Sequence, residues 1–220
     1  LDLPQAEVIP NPAPMVEVEQ RWKLAECDPD LVLFVGRFDR HKGGDLVIDA
    51  FSRVASRRPG LKLVFIGPDR GLDGGVGGTL GLNEYVLDRV PDLSVRARIQ
   101  HLGQLPPEEI KEWRKKARVT IVASRFEVFG MVVVEALAFG CPLIAANAGG
   151  IPEIVAHEEN GLLFEKGDAA DLAHWLQTML DHPELSAELG SRGVLEMERR
   201  FSPDVIARRT RDYYERVIAD

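Results

Sequence analysis

Three stretches of this chain gather residues suited to chemistry. The first, Gly36-Arg37-Phe38-Asp39-Arg40-His41-Lys42-Gly43-Gly44, bunches cations and glycines directly behind the apolar run LVLFV. Glycine lets backbone approach a ligand closely, arginine grips phosphate oxygens as a planar fork, and lysine meets them as a point charge. Charge-assisted hydrogen bonds are worth about 1.5–3 kcal/mol each, so Arg37 and Lys42 would supply much of the affinity for a diphosphate. A solvated basic turn is the alternative for this segment taken alone, and a solvated turn is the expected setting of His41. Arg40 and Arg125 are read as surface or supporting residues.

The second stretch, Ser124-Arg125-Phe126-Glu127-Val128-Phe129-Gly130, leads into MVVVEALAFG. The apolar pattern predicts a helix over 130–139, which puts the N–H groups of Phe129, Gly130 and Met131 at its start. Unpaired donors and a partial positive charge make such a terminus suited to an anion. Glu135 is the only charged residue between Glu127 and Glu153, flanked by Val132, Val133, Val134, Ala136, Leu137 and Ala138. Carboxylates are rarely buried without a partner. Two partners stay open: the hydroxyls of a sugar or ribose in a cleft, or a buried arginine or lysine. The third stretch is His101-Leu102-Gly103-Gln104-Leu105-Pro106-Pro107, where a proline turn leaves backbone groups free for the flat contacts a nucleobase makes.

These stretches need elements to hold them. Apolar runs at 31–36, 61–67, 98–103, 119–124, 142–147 and 161–165 alternate with helical patterns near 44–57, 107–117, 130–139 and 151–156. Near-continuous apolar strands are buried on both faces, and intervening helices supply right-handed crossovers. The expectation is a doubly wound, mostly parallel α/β sheet, whose ligands sit outside the carboxyl ends of the strands. Beyond Phe164 the pattern is helical, with Asp168 and Ser202 as N-caps and Pro203 at a first helical position. Residues 71–81, GLDGGVGGTLG, hold six glycines and match neither GxGxxG nor GxxxxGK[ST]. They are read as a mobile surface loop without regular structure rather than a phosphate cradle.

Composition narrows the function classes. A chain of 220 residues with 45% hydrophobic and 28% charged residues has the make-up of one globular core. A formal charge of -8 argues against a broad nucleic-acid or anionic-lipid footprint. Cys27 and Cys141 lie far apart and are expected to be free thiols of a reducing compartment. No run reaches the ~18 apolar residues of a membrane span and the start lacks signal-peptide regions, so a soluble cytoplasmic domain is expected.

Glu127 and Glu135, with seven residues between them inside SRFEVFGMVVVEALAFGCPLIAANAGGIPEIV, resemble the EX7E signature of retaining GT-B glycosyltransferases of family 4. GRFDRHKGGDLVIDAF resembles that family's phosphate-binding segment, HLGQLPPEE its base-contacting turn, and NGLLFEKGDAADLA the segment that follows. VIPNPAP is similar to its entry into the C-terminal Rossmann-like domain, and FSPDVIARRTRDYYERVI to its closing helix. The likeness covers essentially the whole chain.

The resemblance implies a Rossmann-like half of a GT-B fold that binds a nucleoside-diphosphate sugar (UDP-, GDP- or ADP-linked) with no cofactor and no metal. By the same likeness Gly36, Arg37 and Lys42 hold the diphosphate, Leu105 contacts the base through its backbone, and Glu135 accepts from the ribose hydroxyls. Glu127 and the amides of Phe129, Gly130 and Met131 orient sugar and phosphates. Glu127, Arg37 and Lys42 are the groups expected to act in catalysis, Glu127 without being assigned as a nucleophile. The expected division is an entry segment over 1–15, the donor-binding domain over 16–200, and a C-terminal helix over 201–220 packing toward a missing N-terminal domain. That absent half would carry the acceptor contacts and any membrane contact. The isolated chain is expected to bind donor without transferring sugar. A GT-B-like sugar-nucleotide 2-epimerase and a non-catalytic nucleotide-binding module are the alternatives, and a Rossmann dehydrogenase is disfavoured because no GxGxxG follows the first strand.

Overall fold

The computed structural model describes residues 6–73 and 78–219. Six strands form one parallel sheet: β1 (Asp28–Val35), β2 (Lys62–Ile66), β5 (Ile99–His101), β6 (Ala117–Val122), β7 (Leu143–Ala146) and β8 (Leu162–Phe164). Their order across the sheet is β5-β2-β1-β6-β7-β8. The chain therefore runs outward from β1 in one direction, then returns to place β6 on the other side of β1. That reversal opens a crevice at the carboxyl ends of β1 and β6, where ligands of open α/β sheets bind.

Helices cover both faces. α1 (Gly44–Ala55), α2 (Leu82–Arg89) and α6 (Ala169–Asp181) pack on the face that presents Val32, Phe34, Leu63, Phe65, Ile121 and Ile144. On the opposite face α4 (Pro107–Lys116) lies over Leu31, Leu33, Val64 and Ile66, while α5 (Met131–Ala138) and α7 (Pro183–Phe201) lie over Val122, Leu143 and Ala145. The alternation follows from the period-2 geometry of strands, and burial on both sides from the apolar runs. α8 (Pro203–Ala219) closes the chain. The N–H of Ala13 donates to the carbonyl of Phe201 at 2.7 Å, so the entry segment runs beside the end of α7. The α/β, Rossmann-like fold expected from the sequence is the fold observed.

The caps behave as anticipated. Asp168 Oδ1 accepts from the N–H of Ala170 and Asp171, and Ser202 Oγ accepts from that of Val205. The span between β2 and β5 departs from the sequence reading. The expectation of no regular structure over 71–81 is corrected at both ends, where β3 (Leu72–Asp73) and β4 (Thr79–Leu80) pair antiparallel. Residues 74–77 of that glycine run lie outside the described residues. Two helices also escaped notice, α2 and α3 (Leu93–Arg96), because each buries too little to print a period: Leu82 and Val86 on one, Val95 on the other. Asp69 starts α2 from a distance, its Oδ2 accepting from the Leu82 N–H at 2.8 Å. The helix expected over 151–156 is a single 3-10 turn, Ile151–Glu153.

Candidate functional site

Strand β1 ends into a turn organised by Asp39. Its Oδ1 accepts from the Lys42 N–H at 2.8 Å and its Oδ2 from Arg37 Nε at 2.7 Å. Burial works against the charge on Asp39, but the Lys42 N–H and the Arg37 guanidinium outweigh it and hold the carboxyl below the usual range. The turn closes on Gly43 at φ +71°, where a Cβ would lie 2.0 Å from the carbonyl oxygen of Ala123. Only glycine lets the start of α1 approach β6 this closely. The Arg37 side chain is half exposed beside the carboxyl end of β1.

Strand β6 ends into the loop that carries Glu127. Glu127 Oε2 accepts from Lys42 Nζ at 2.5 Å and from Ser124 Oγ at 3.2 Å, which joins the two loops across the crevice. Gly149 and Gly150 back this loop: the Gly150 N–H donates to the Glu127 carbonyl at 2.9 Å, and a Cβ on Gly149 would meet that oxygen at 2.0 Å. Gly130, at φ +93°, turns the chain into α5. Among the described residues no backbone carbonyl engages the N–H groups of Phe129, Gly130 and Met131. They stand as free donors beside Lys42 and Glu127.

Glu135 follows one turn along α5 from Met131, on the same part-exposed stripe. Its Oε2 accepts from Arg114 Nη2 at 2.7 Å. Of the two partners left open at the sequence level, the buried cation is present. The burial is asymmetric, with the Arg114 side chain 2% exposed and that of Glu135 41% exposed. The apolar flanks of Glu135 pack on the sheet while its head stays partly exposed, one turn beyond the start of α5.

Leu105 follows β5 and packs half-buried against the α4 face of the sheet. The Gly67 N–H donates to the Gly103 carbonyl at 2.7 Å, and His101 Nε2 lies 2.8 Å from the Gly67 carbonyl, tying the ends of β2 and β5 together. Gly36, Arg37, Lys42, Glu127, Phe129, Gly130, Met131 and Glu135 thus gather around the carboxyl ends of β1 and β6, and Leu105 stands toward the β5 edge. Arg125 is a supporting residue, forked onto Asp45 of α1 at 2.8 and 2.7 Å. His41 is exposed.

Three contributors escaped the sequence reading. Ser124 was signalled only as a polar end to an apolar strand, and Gly149-Gly150 as a doubled glycine, a mark of close backbone approach. Arg114 had no signal, being one of several cations in the charged run EEIKEWRKK. Among the described residues no group of three or more His, Cys, Asp or Glu could hold a metal ion, and no helix is long and apolar enough to cross a membrane.

Comparison with known proteins bears on this geometry. Residues 17–194 match the family model described as "Glycosyl transferases group 1". A D-inositol 3-phosphate glycosyltransferase of Corynebacterium efficiens is 36% identical over 172 residues, which are 78% of this chain and 39% of that protein. The chain thus spans about two-fifths of the length of such relatives. Sucrose-phosphate synthase from Thermosynechococcus elongatus superposes with a TM-score of 0.75 at 29% identity, covering 97% of this chain and 53% of that one. The C-terminal domain of a glycosyl transferase group 1 family protein from Francisella tularensis gives 0.68 at 22% identity, covering 87% and 96%.

Proposed function

Because the chain belongs to the group 1 glycosyl transferases, we propose that it is the donor-binding half of a retaining enzyme that transfers a glycosyl group from a nucleoside-diphosphate sugar. The observation that carries this reading is the convergence of Arg37, Lys42, Glu127 and the free amides of Phe129, Gly130 and Met131 at the crevice between β1 and β6. When the bond between the sugar and the diphosphate breaks, negative charge grows on the departing phosphate. Arg37, Lys42 and the start of α5 supply fixed positive charge there, the role a divalent cation plays at other phosphate sites. Leu105 contacts the base and Glu135 the ribose. Glu127, held by Lys42 and Ser124, faces the sugar and orients it. The acceptor and the groups that act on it belong to a second domain, which the closing helix α8 would meet.

Calorimetric titration of the chain with UDP, GDP and ADP tests the reading. Binding of at least one of the three is expected. A folded sample that binds none at millimolar concentration sinks it.

A further inference from the structure

We propose that Arg114 is a positioning residue for donor binding: it fixes the Glu135 carboxylate with one oxygen turned to the crevice, and so sets the site's demand for ribose. The inference rests on the reading of Glu135 as the ribose acceptor. Four observations carry it.

Arg114 is the only buried residue of α4, and it is a cation. Its Nη2 donates to Glu135 Oε2, while its Nη1 is buried without a hydrogen-bond partner. A buried guanidinium with one nitrogen unsatisfied is costly, so packing alone does not call for a cation where α4 meets α5. Among the described residues no donor reaches Glu135 Oε1, and the side chain is 41% exposed. The pair also joins the two halves of one helical layer. α4 lies over β1 and β2 and α5 over β6 and β7, so the bond crosses the line between β1 and β6 where the chain reverses direction.

A glutamate on a half-exposed helix face samples several rotamers, and a mobile carboxylate loses entropy when it accepts from a ligand. A guanidinium holds its donors in a rigid plane, so one bond to Oε2 fixes the carboxylate and leaves Oε1 as an oriented acceptor. A ribose hydroxyl is the donor such an acceptor takes, and the 2′ group is the one a deoxynucleotide lacks. Removing that hydroxyl leaves Oε1 covered by the ligand without a donor while Oε2 keeps Arg114, which is how a polar site rejects an analogue that lacks one group.

The experiment measures ribose preference: the dissociation constant of the 2′-deoxynucleoside diphosphate divided by that of the ribonucleotide, for UDP, GDP and ADP, in the full chain. The wild type should prefer ribose by about tenfold or more with its best base. Arg114→Met should bring the preference to within about twofold, Glu135→Ala should do the same, and the double variant should be no worse than Glu135→Ala alone. Arg114→Lys, which keeps a charge without the fork, should lie between. A merely structural role would lower thermal stability and weaken both nucleotides alike, leaving the ratio unchanged. A wild-type ratio in Arg114→Met, with the ratio lost in Glu135→Ala, overturns the inference and spares the donor-site reading. A wild-type ratio in Glu135→Ala, or no binding by folded wild type, overturns that reading and the inference with it. If Arg114→Met does not fold, Arg114→Lys decides: a reduced ratio supports the inference and an unchanged one overturns it.

Discussion

Each cation expected to hold phosphate is already engaged by a carboxylate: Arg37 by Asp39 and Lys42 by Glu127. Donor binding must share or replace these contacts, so Glu127 has two opposed effects. It restrains Lys42 in the free protein and, in the proposed complex, faces the sugar. Glu127→Gln should therefore tighten binding of a free nucleoside diphosphate while removing the extra affinity of the corresponding nucleotide sugar. Lys42→Ala should weaken both by about ten- to a hundredfold, the value of one charge-assisted bond to phosphate. Paired titrations with nucleoside diphosphate and nucleotide sugar would separate these effects. Equal weakening of both ligands by Glu127→Gln would remove Glu127 from the sugar site.

The site is assembled where elements begin and end. Two glycine turns do the positioning, Gly43 before α1 and Gly130 before α5, both at positive φ. At Gly43 the requirement is double, because a side chain would be strained at φ +71° and would also strike the Ala123 carbonyl. Gly43→Ala should cost at least about 2 kcal/mol, read as a lower urea midpoint at unchanged m-value. Since Lys42 precedes it and Ala123 precedes Ser124, the two loops should separate and nucleotide affinity fall in the same variant. An alanine variant of wild-type stability would mean the turn relaxes without moving either loop.

Over the whole molecule, the sheet with its two helical layers sets which groups solvent reaches. Cys141 lies in the core beneath α5, where burial pushes its thiol up to about 11 against the opposing field of Arg114. Cys27 is half-buried, and burial raises its thiol as well. With a colourless aromatic disulfide that releases a coloured thiolate, native protein should label at Cys27 alone. Cys141 should react only at the rate of unfolding, measured cleanly in Cys27→Ser. Native labelling of Cys141 as fast as Cys27 would show that the α5 layer opens without global unfolding.

Much of this was legible in local pattern. Apolar runs such as LVLFV and VTIVAS mark strands because burial on both faces admits little else, and the glycines and cations that follow them mark strand ends. The spacing of Glu127 and Glu135 and the turn at Lys42 needed no fold to be noticed. α2 was not legible, since its start is capped by Asp69, thirteen residues before Leu82, and its buried face is two residues wide. The partners of the two glutamates were not legible either. Lys42 and Glu127 are 85 residues apart and Arg114 and Glu135 are 21 apart, and each pair meets only because the sheet brings its strand ends and helices together. Residue types and spacing are local properties of the chain, so the sequence by itself determined the strands of the main sheet, the starts of the strongly periodic helices and the chemistry on offer. Which charge faces which depends on strand order and layer, and that only the tertiary structure decided.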